Sequence, residues 1–334
     1  MRAPISLILV ALFGCREGKE TKPVIADHHT APPVTAPVPP TATPDPWAAG
    51  PADSADDPPS LAERHKRAEE ACPLVKAPYF YSIEKAGKVS HILGTRHISV
   101  PLAKFPKEVT DAISTAKLAV FEVAPDDNSG VETPKISIKN ELGPDLWKKY
   151  EALVGKAAAE SLEEATPAEA MIWLIAMYED IGAMLDSEIQ RQVQAAKIPT
   201  MGLETSAFQD TLLQKLLDIR MLKAEVAHTD GRDELAKESK EDLSEYCAGS
   251  DDKPGMDDDT RKDLLEAGYT AAEIDSIDDQ MVYQRNASWI PKLEKLFAKG
   301  DVFVAVGADH LTGDRGVVAL LAKRGFTVKR VPRK

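Results

Sequence analysis

Two stretches far apart in the chain share one pattern, and together they limit how it can fold. Val302-Phe303-Val304-Ala305-Val306 is apolar on both faces, which suits a strand buried in the middle of a mostly parallel sheet. Gly307 follows, and His310 comes three residues later. The earlier stretch HILGTRH, residues 91–97, likewise runs from an apolar strand through Gly94 to His97. Glycine lets the chain leave a sheet without Cβ strain, and a residue just beyond the strand's carboxyl end lies in the crevice where open α/β sheets bind ligands. Parallel strands joined by right-handed crossovers would set His97 and His310 side by side on one edge, as halves of a split site. An imidazole in such a crevice is expected to support little of the core.

The flanking segments supply the rest of an α/β fold. Beyond His310, Asp314 suits a helix's first turn, Val317, Leu320 and Leu321 form an apolar face, and Gly325 reads as the C-cap before a closing strand at 326–331. At the other end the folded part is expected to begin near Leu61, with a charged helix at 63–71 and a hairpin of 79–83 and 88–94 around Ala86-Gly87. A helix at 106–117 with Val109, Ala112, Ile113 and Ala116 on one face leads into a strand at 118–123, which carries Glu122 among apolar neighbours. Strand, helix, strand at this spacing is a βαβ unit. The fold class expected is α/β, with a mostly parallel or mixed central sheet flanked by helices.

The middle reads as helical. Thr166-Pro167-Ala168-Glu169 combines an N-cap, a proline at the first helical position and a capping-box glutamate. A second helix, 185–196, leads through Ile198-Pro199 to a short strand ending on Glu204, the second carboxylate at a strand end. Residues 211–223 read as one further helix and 229–277 as an acidic, poorly patterned stretch. Its aspartates lack the alternating spacing and terminal glutamate of a calcium-binding loop. Arg285 and Asn286 fall in a later helical stretch, which Pro291 should kink or restart.

With 334 residues and 43% apolar content the chain can form one large domain of about 250 residues plus tails. A net charge of −13 argues against a nucleic-acid surface. The start, residues 1–14, is a short basic region followed by an apolar run too short to span a membrane, and Cys15 closes it. This resembles a bacterial lipoprotein signal with lipid attached to Cys15. An ordinary secretory signal with a chance cysteine is the alternative. Arg16 rather than aspartate follows, which favours outer-membrane anchoring in the cell envelope. Residues 15–60 are proline-rich and read as a semi-rigid tether, leaving 61–334 as the folded domain. With Cys15 lipidated, Cys72 and Cys247 are the remaining thiols, in a compartment that permits a disulfide between them.

HILGTRH, FEV, GLET, RN and VAVGADHLTGDRGVVALLAKRGFTVKRV together resemble the TraB/GumN family, which includes the bacterial pheromone-shutdown proteins and the animal Tiki metalloproteases. The resemblance covers roughly residues 79–331 and implies the sheet architecture of the erythromycin-esterase and ChaN-like group. In that family the two Gly-x-x-His motifs and glutamates are taken as the metal and catalytic centre. Position by position, His97 and His310 match the histidines, Glu122 and Glu204 the strand-end glutamates, and Arg285 with Asn286 the Arg-Asn pair. The implied cofactor is a divalent metal ion, with Zn, Mn and Co not distinguished.

Such a set fits a metal-dependent hydrolase of the periplasm or cell surface, a peptidase acting on peptides or proteins. Imidazoles and carboxylates can hold a divalent ion with a position open for water. A glutamate could take the water's proton, Arg285 steady an oxyanion and Asn286 orient the substrate. Each residue also has a structural reading: a hydrogen-bonded histidine, a glutamate holding a helix N-terminus, an ion pair. An esterase on the same site, and a protein binding a peptide, metal or haem without turnover, remain the alternatives. The sequence does not name the substrate or the oligomeric state.

Overall fold

The computed structural model describes residues 58–250, 256 and 258–332. The expected leader, Cys15 and the tether up to residue 57 lie outside them. The first helix, α1 (Leu61–Ala71), starts where Ser60 Oγ accepts from the Glu63 backbone N–H while the Glu63 carboxylate accepts from Ser60 N–H. A hairpin follows, β1 (Phe80–Lys85) and β2 (Lys88–Thr95), turning at Ala86-Gly87. After β3 (Ile98–Ser99), α2 (Lys107–Thr115) buries Val109, Ala112 and Ile113 and leads into β4 (Leu118–Val123).

The chain then leaves the sheet. It passes through β5 (Ile136–Ser137), α3 (Ile138–Val154), α4 (Lys156–Ser161), β6 (Glu164–Ala165), α5 (Pro167–Ala176), β7 (Ala183–Met184) and α6 (Leu185–Ala195). The expected capping box at Thr166 and Glu169 starts α5. The chain rejoins the sheet as β8 (Thr200–Glu204), leaves again through α7 (Ser206–Leu216), α8 (Ile219–His228), α9 (Arg232–Ala248), α10 (Asp258–Glu266), α11 (Ala271–Asp278), a π-helical turn (Asp279–Tyr283) and α12 (Gln284–Phe297), and returns as β9 (Val302–Gly307). A 3₁₀ turn (Ala308–His310), α13 (Val317–Lys323) and β10 (Thr327–Arg330) complete it.

The central sheet is mixed, in the order β10-β1-β2-β9-β4-β8. Neighbours among β2, β9, β4 and β8 run parallel, whereas β1 is antiparallel to both of its neighbours. The late strand β9 enters between β2 and β4, and every one of its residues is buried. Its apolar run therefore reads as it does because both of its faces are covered. Among the described residues two large apolar cores result, one around the sheet and one of helices that includes Tyr150, Met171, Leu174, Leu222, Leu264 and Ile274, with a small third cluster of Ile98, Ala176 and Ile181.

Three local expectations are corrected and one is narrowed. Residues 211–223 are not one helix: α7 ends at Leu216, and Asp218 caps a new helix by accepting from the Arg220 and Met221 N–H groups. The described residues of 229–277 are largely helical. The inner face of α9 carries Leu235, Ser239, Asp242, Leu243, Tyr246 and Cys247, so polar residues at buried positions hide the helical period. Of the two alternatives at Pro291, a new helix is not seen: Pro291 lies inside α12. Asp314 lies before α13, whose N-cap is Gly316. Cys72 at the end of α1 and Cys247 in α9 are joined by a disulfide, with Cα atoms 5.9 Å apart.

Candidate functional site at the carboxyl edge of the sheet

The register of the parallel strands gathers the site. Thr95 pairs with Gly307, so His97 and His310 leave adjacent strands at one edge, and Val123 pairs with Glu204, which brings Glu122 and Glu204 to the same edge. Gly94 explains why this motif needs its glycine: a Cβ there would meet Tyr79 Cβ at 2.8 Å and the Ala308 Cα of the second motif at 2.9 Å. The two Gly-x-x-His turns are thus packed backbone against backbone.

Arg285, buried on α12, stands among the acids. Its Nη2 donates to Glu122 Oε2 at 2.5 Å and Glu204 Oε1 at 2.7 Å, its Nε also donates to Glu204, and its Nη1 donates to the Met281 carbonyl at 2.9 Å. Burial pulls the guanidinium's pKa down, but Glu122 and Glu204 outweigh that and hold it above the ordinary arginine value. Burial raises the Glu204 pKa, with Arg285 opposing the rise. Trp289, one helical turn beyond Arg285, donates Nε1–H to Glu204 Oε2 at 3.0 Å. Glu122 also accepts from the Gly307 N–H at 2.8 Å and from Gln209 Nε2 at 3.1 Å.

The two histidines are held in different ways. His310 Nδ1 donates to Asn286 Oδ1 at 2.7 Å, a direction fixed because Asn286 Nδ2 donates to the Arg315 carbonyl. Nε2 then carries the lone pair and accepts from Arg285 Nη1 at 3.1 Å. Burial, then Arg285, then His97 hold the His310 pKa well below its ordinary value, so the ring is neutral. It is fully buried, 4.5 Å from the Trp289 ring. His310 is therefore part of the core, contrary to the expectation for an imidazole in an open crevice. His97 Nδ1 lies against the Asp186 carboxylate at the start of α6. His91 sits lower on β2, half-buried and stacked on Phe80 at 5.3 Å between ring centroids.

A second buried cluster adjoins the edge. Arg96, inside the first motif, pairs with Glu179, and Ser239 Oγ donates to Glu179 Oε2 at 3.4 Å while accepting from the Asp180 N–H at 2.7 Å. Arg96 Nε, Asp180 Oδ2 and Asp242 Oδ2 have no hydrogen-bond partner among the described residues. Burial pushes the Asp242 carboxyl up to about 7 against the pull of Arg96, and Asp309 in the second motif is raised to about 7 for the same reason.

The sequence reading missed Asp186, Trp289 and Gln209. Trp289 had a signal, since it lies four residues after Arg285 on one helix. Asp186 and Gln209 had none, because their roles come from tertiary contacts.

The donor chemistry of His97, His310 and Glu122 fits a divalent ion. Both imidazoles have Nδ1 against an oxygen, as metal-ligating histidines do, and His310 Nε2 stands 3.7 Å from Glu122 Oε1. Both oxygens of each glutamate already accept hydrogen bonds, Glu122 from Arg285, Gln209 and Gly307 and Glu204 from Arg285 and Trp289, and His310 Nε2 accepts from Arg285, so an ion would have to displace some of these contacts. As arranged, Arg285 is the cation between the glutamates. Among the described residues, three such donors come within 4.8 Å of one another only at His228, Asp263 and Glu266.

A mixed α/β sheet with its polar residues converging beyond the carboxyl ends of four parallel strands defines an edge-site α/β protein, of the kind that binds ligands where strands end. Within that class the chain belongs to the TraB/PrgY/gumN family, whose family model matches residues 79–330. No curated protein and no solved structure matches it. No helix among the described residues is long and apolar enough to cross a membrane.

Proposed function

We propose that the chain is a hydrolase, and specifically a metal-dependent peptidase, held in the bacterial cell envelope by lipid on Cys15. The observation that carries this reading is the meeting of both Gly-x-x-His histidines with Glu122 and Arg285 at one sheet edge. His97, His310 and Glu122 would hold a divalent ion, which when bound would lower the pKa of a water or polarise a carbonyl. With Asp186 at Nδ1, His97 would have Nε2 left to hold the ion. Neutral His310 offers Nε2 as an acceptor or ligand. Arg285 supplies positive charge for a developing oxyanion, and Glu204 with Trp289 positions it. Because these side chains are buried, a substrate reaches them only if a covering element moves.

Incubating the purified chain with a peptide library and each of several divalent metals tests the reading through newly formed termini. Cleavage with at least one metal supports a peptidase. Turnover of simple esters alone would move the assignment to an esterase, and peptide retention without cleavage would make it a binding protein. The anchor has its own test: Cys15→Ser should release the protein from membranes, and identical detergent partitioning of mutant and parent would refute lipidation.

A further inference from the structure

The helical part of the molecule holds a second set of donors, remote in sequence from both Gly-x-x-His motifs. Helix α8 ends on His228, and α10 presents Asp263 and Glu266 one turn apart. His228 Nδ1 and Asp263 Oδ1 stand 3.3 Å apart, and one donor atom from each of the three residues lies within 4.8 Å of the others.

The electrostatics of this place favour a cation. Asp263 and Glu266 are like charges at helical spacing and repel each other, although the exposed Lys262–Glu266 pair, at 3.6 Å, offsets part of this. The carbonyl end of α8 adds negative partial charge where His228 sits. Asp263 and His228 are both partly buried, at 17% and 27% side-chain exposure, so the charges are less screened than on an open surface. The donors are also gathered in advance, because Leu264, beside Asp263, and Val226, near the end of α8, are fully buried in the same apolar core. One nitrogen with two carboxylates suits zinc or a similar transition ion, whereas calcium and magnesium prefer oxygen-only sets.

We infer that His228, Asp263 and Glu266 form a divalent transition-metal site that clips α10 to the end of α8. It is separate from the sheet edge and independent of whether that edge turns over substrate. The competing account is a direct His228–Asp263 contact, which would need no metal.

Calorimetric titration of the chelator-stripped full chain with zinc chloride near neutral pH tests the site, with calcium chloride run in parallel. The parent, His228→Ala, Asp263→Asn and His97→Ala are compared. The parent should bind one more equivalent of zinc than His228→Ala. Asp263→Asn should weaken that equivalent by at least roughly tenfold, and His97→Ala should retain it, which separates this site from the edge. Zinc should raise the melting temperature of the parent by more than that of His228→Ala. Equal zinc stoichiometry and affinity in the parent, His228→Ala and Asp263→Asn would overturn the inference. Calcium binding this equivalent as tightly as zinc would overturn the assignment of the imidazole as a ligand.

Discussion

Replacing Arg285 by alanine would leave Glu122 and Glu204 buried without their shared cation, and would remove the donor to His310 Nε2. Breaking a buried ion pair from one side costs about 3–5 kcal/mol, and a loss of that size is expected for Arg285→Ala in denaturant unfolding. A cost near zero would mean that the glutamates do not depend on Arg285 for their burial. Asp242 gives a prediction of pH dependence. Its carboxyl is raised from an ordinary 3.8 to about 7 by burial, so the folded state holds the proton more tightly than the unfolded state does. Its contribution to stability is complete below the unfolded value and is lost as pH rises through about 7. Asp242→Asn should therefore melt higher than the parent at about pH 8, by a few degrees, with the gap closing towards about pH 4. A gap that is constant across pH would exclude this titration.

The elements rest on ties that the sequence shows unevenly. The Cys72–Cys247 disulfide spans 175 residues and fastens α1 to α9. Opening so long a loop by Cys72→Ser with Cys247→Ser should cost about 3–5 kcal/mol in the chain-entropy model, read from unfolding of the double variant against the oxidised parent. An unchanged midpoint would show that packing alone holds α9. The strands of the central sheet were legible because apolar runs and glycines have local causes: 302–306 is apolar throughout since β9 is covered on both faces. Helix α9 was not legible, because Ser239 and Asp242 occupy inner positions and answer to Asp180 and Arg96 rather than to the apolar core. The single helix expected at 211–223 failed for a smaller reason, a capping aspartate at 218 that serves a turn as readily as a helix start.

At the scale of the whole molecule, the site depends on strands that are distant in sequence meeting at one edge. His97 and His310 could be paired from their shared motif, and Glu122 and Glu204 stood out as acids at the ends of apolar strands. What the sequence could not convey is that Arg285 lies between the glutamates, or that Asp186 backs His97, since both follow from how the helices dock on the sheet. The central claim is that this edge is a hydrolytic centre built on both histidines. The most direct test compares rates of peptide cleavage, by mass-spectrometric counting of new termini, for the parent and His97→Gln at each of several divalent metals, alongside thermal melts of both proteins. The account predicts cleavage by the parent and none by a folded His97→Gln. A parent that produces no new termini under any condition, or a His97→Gln protein that cleaves as fast as the parent, would contradict it.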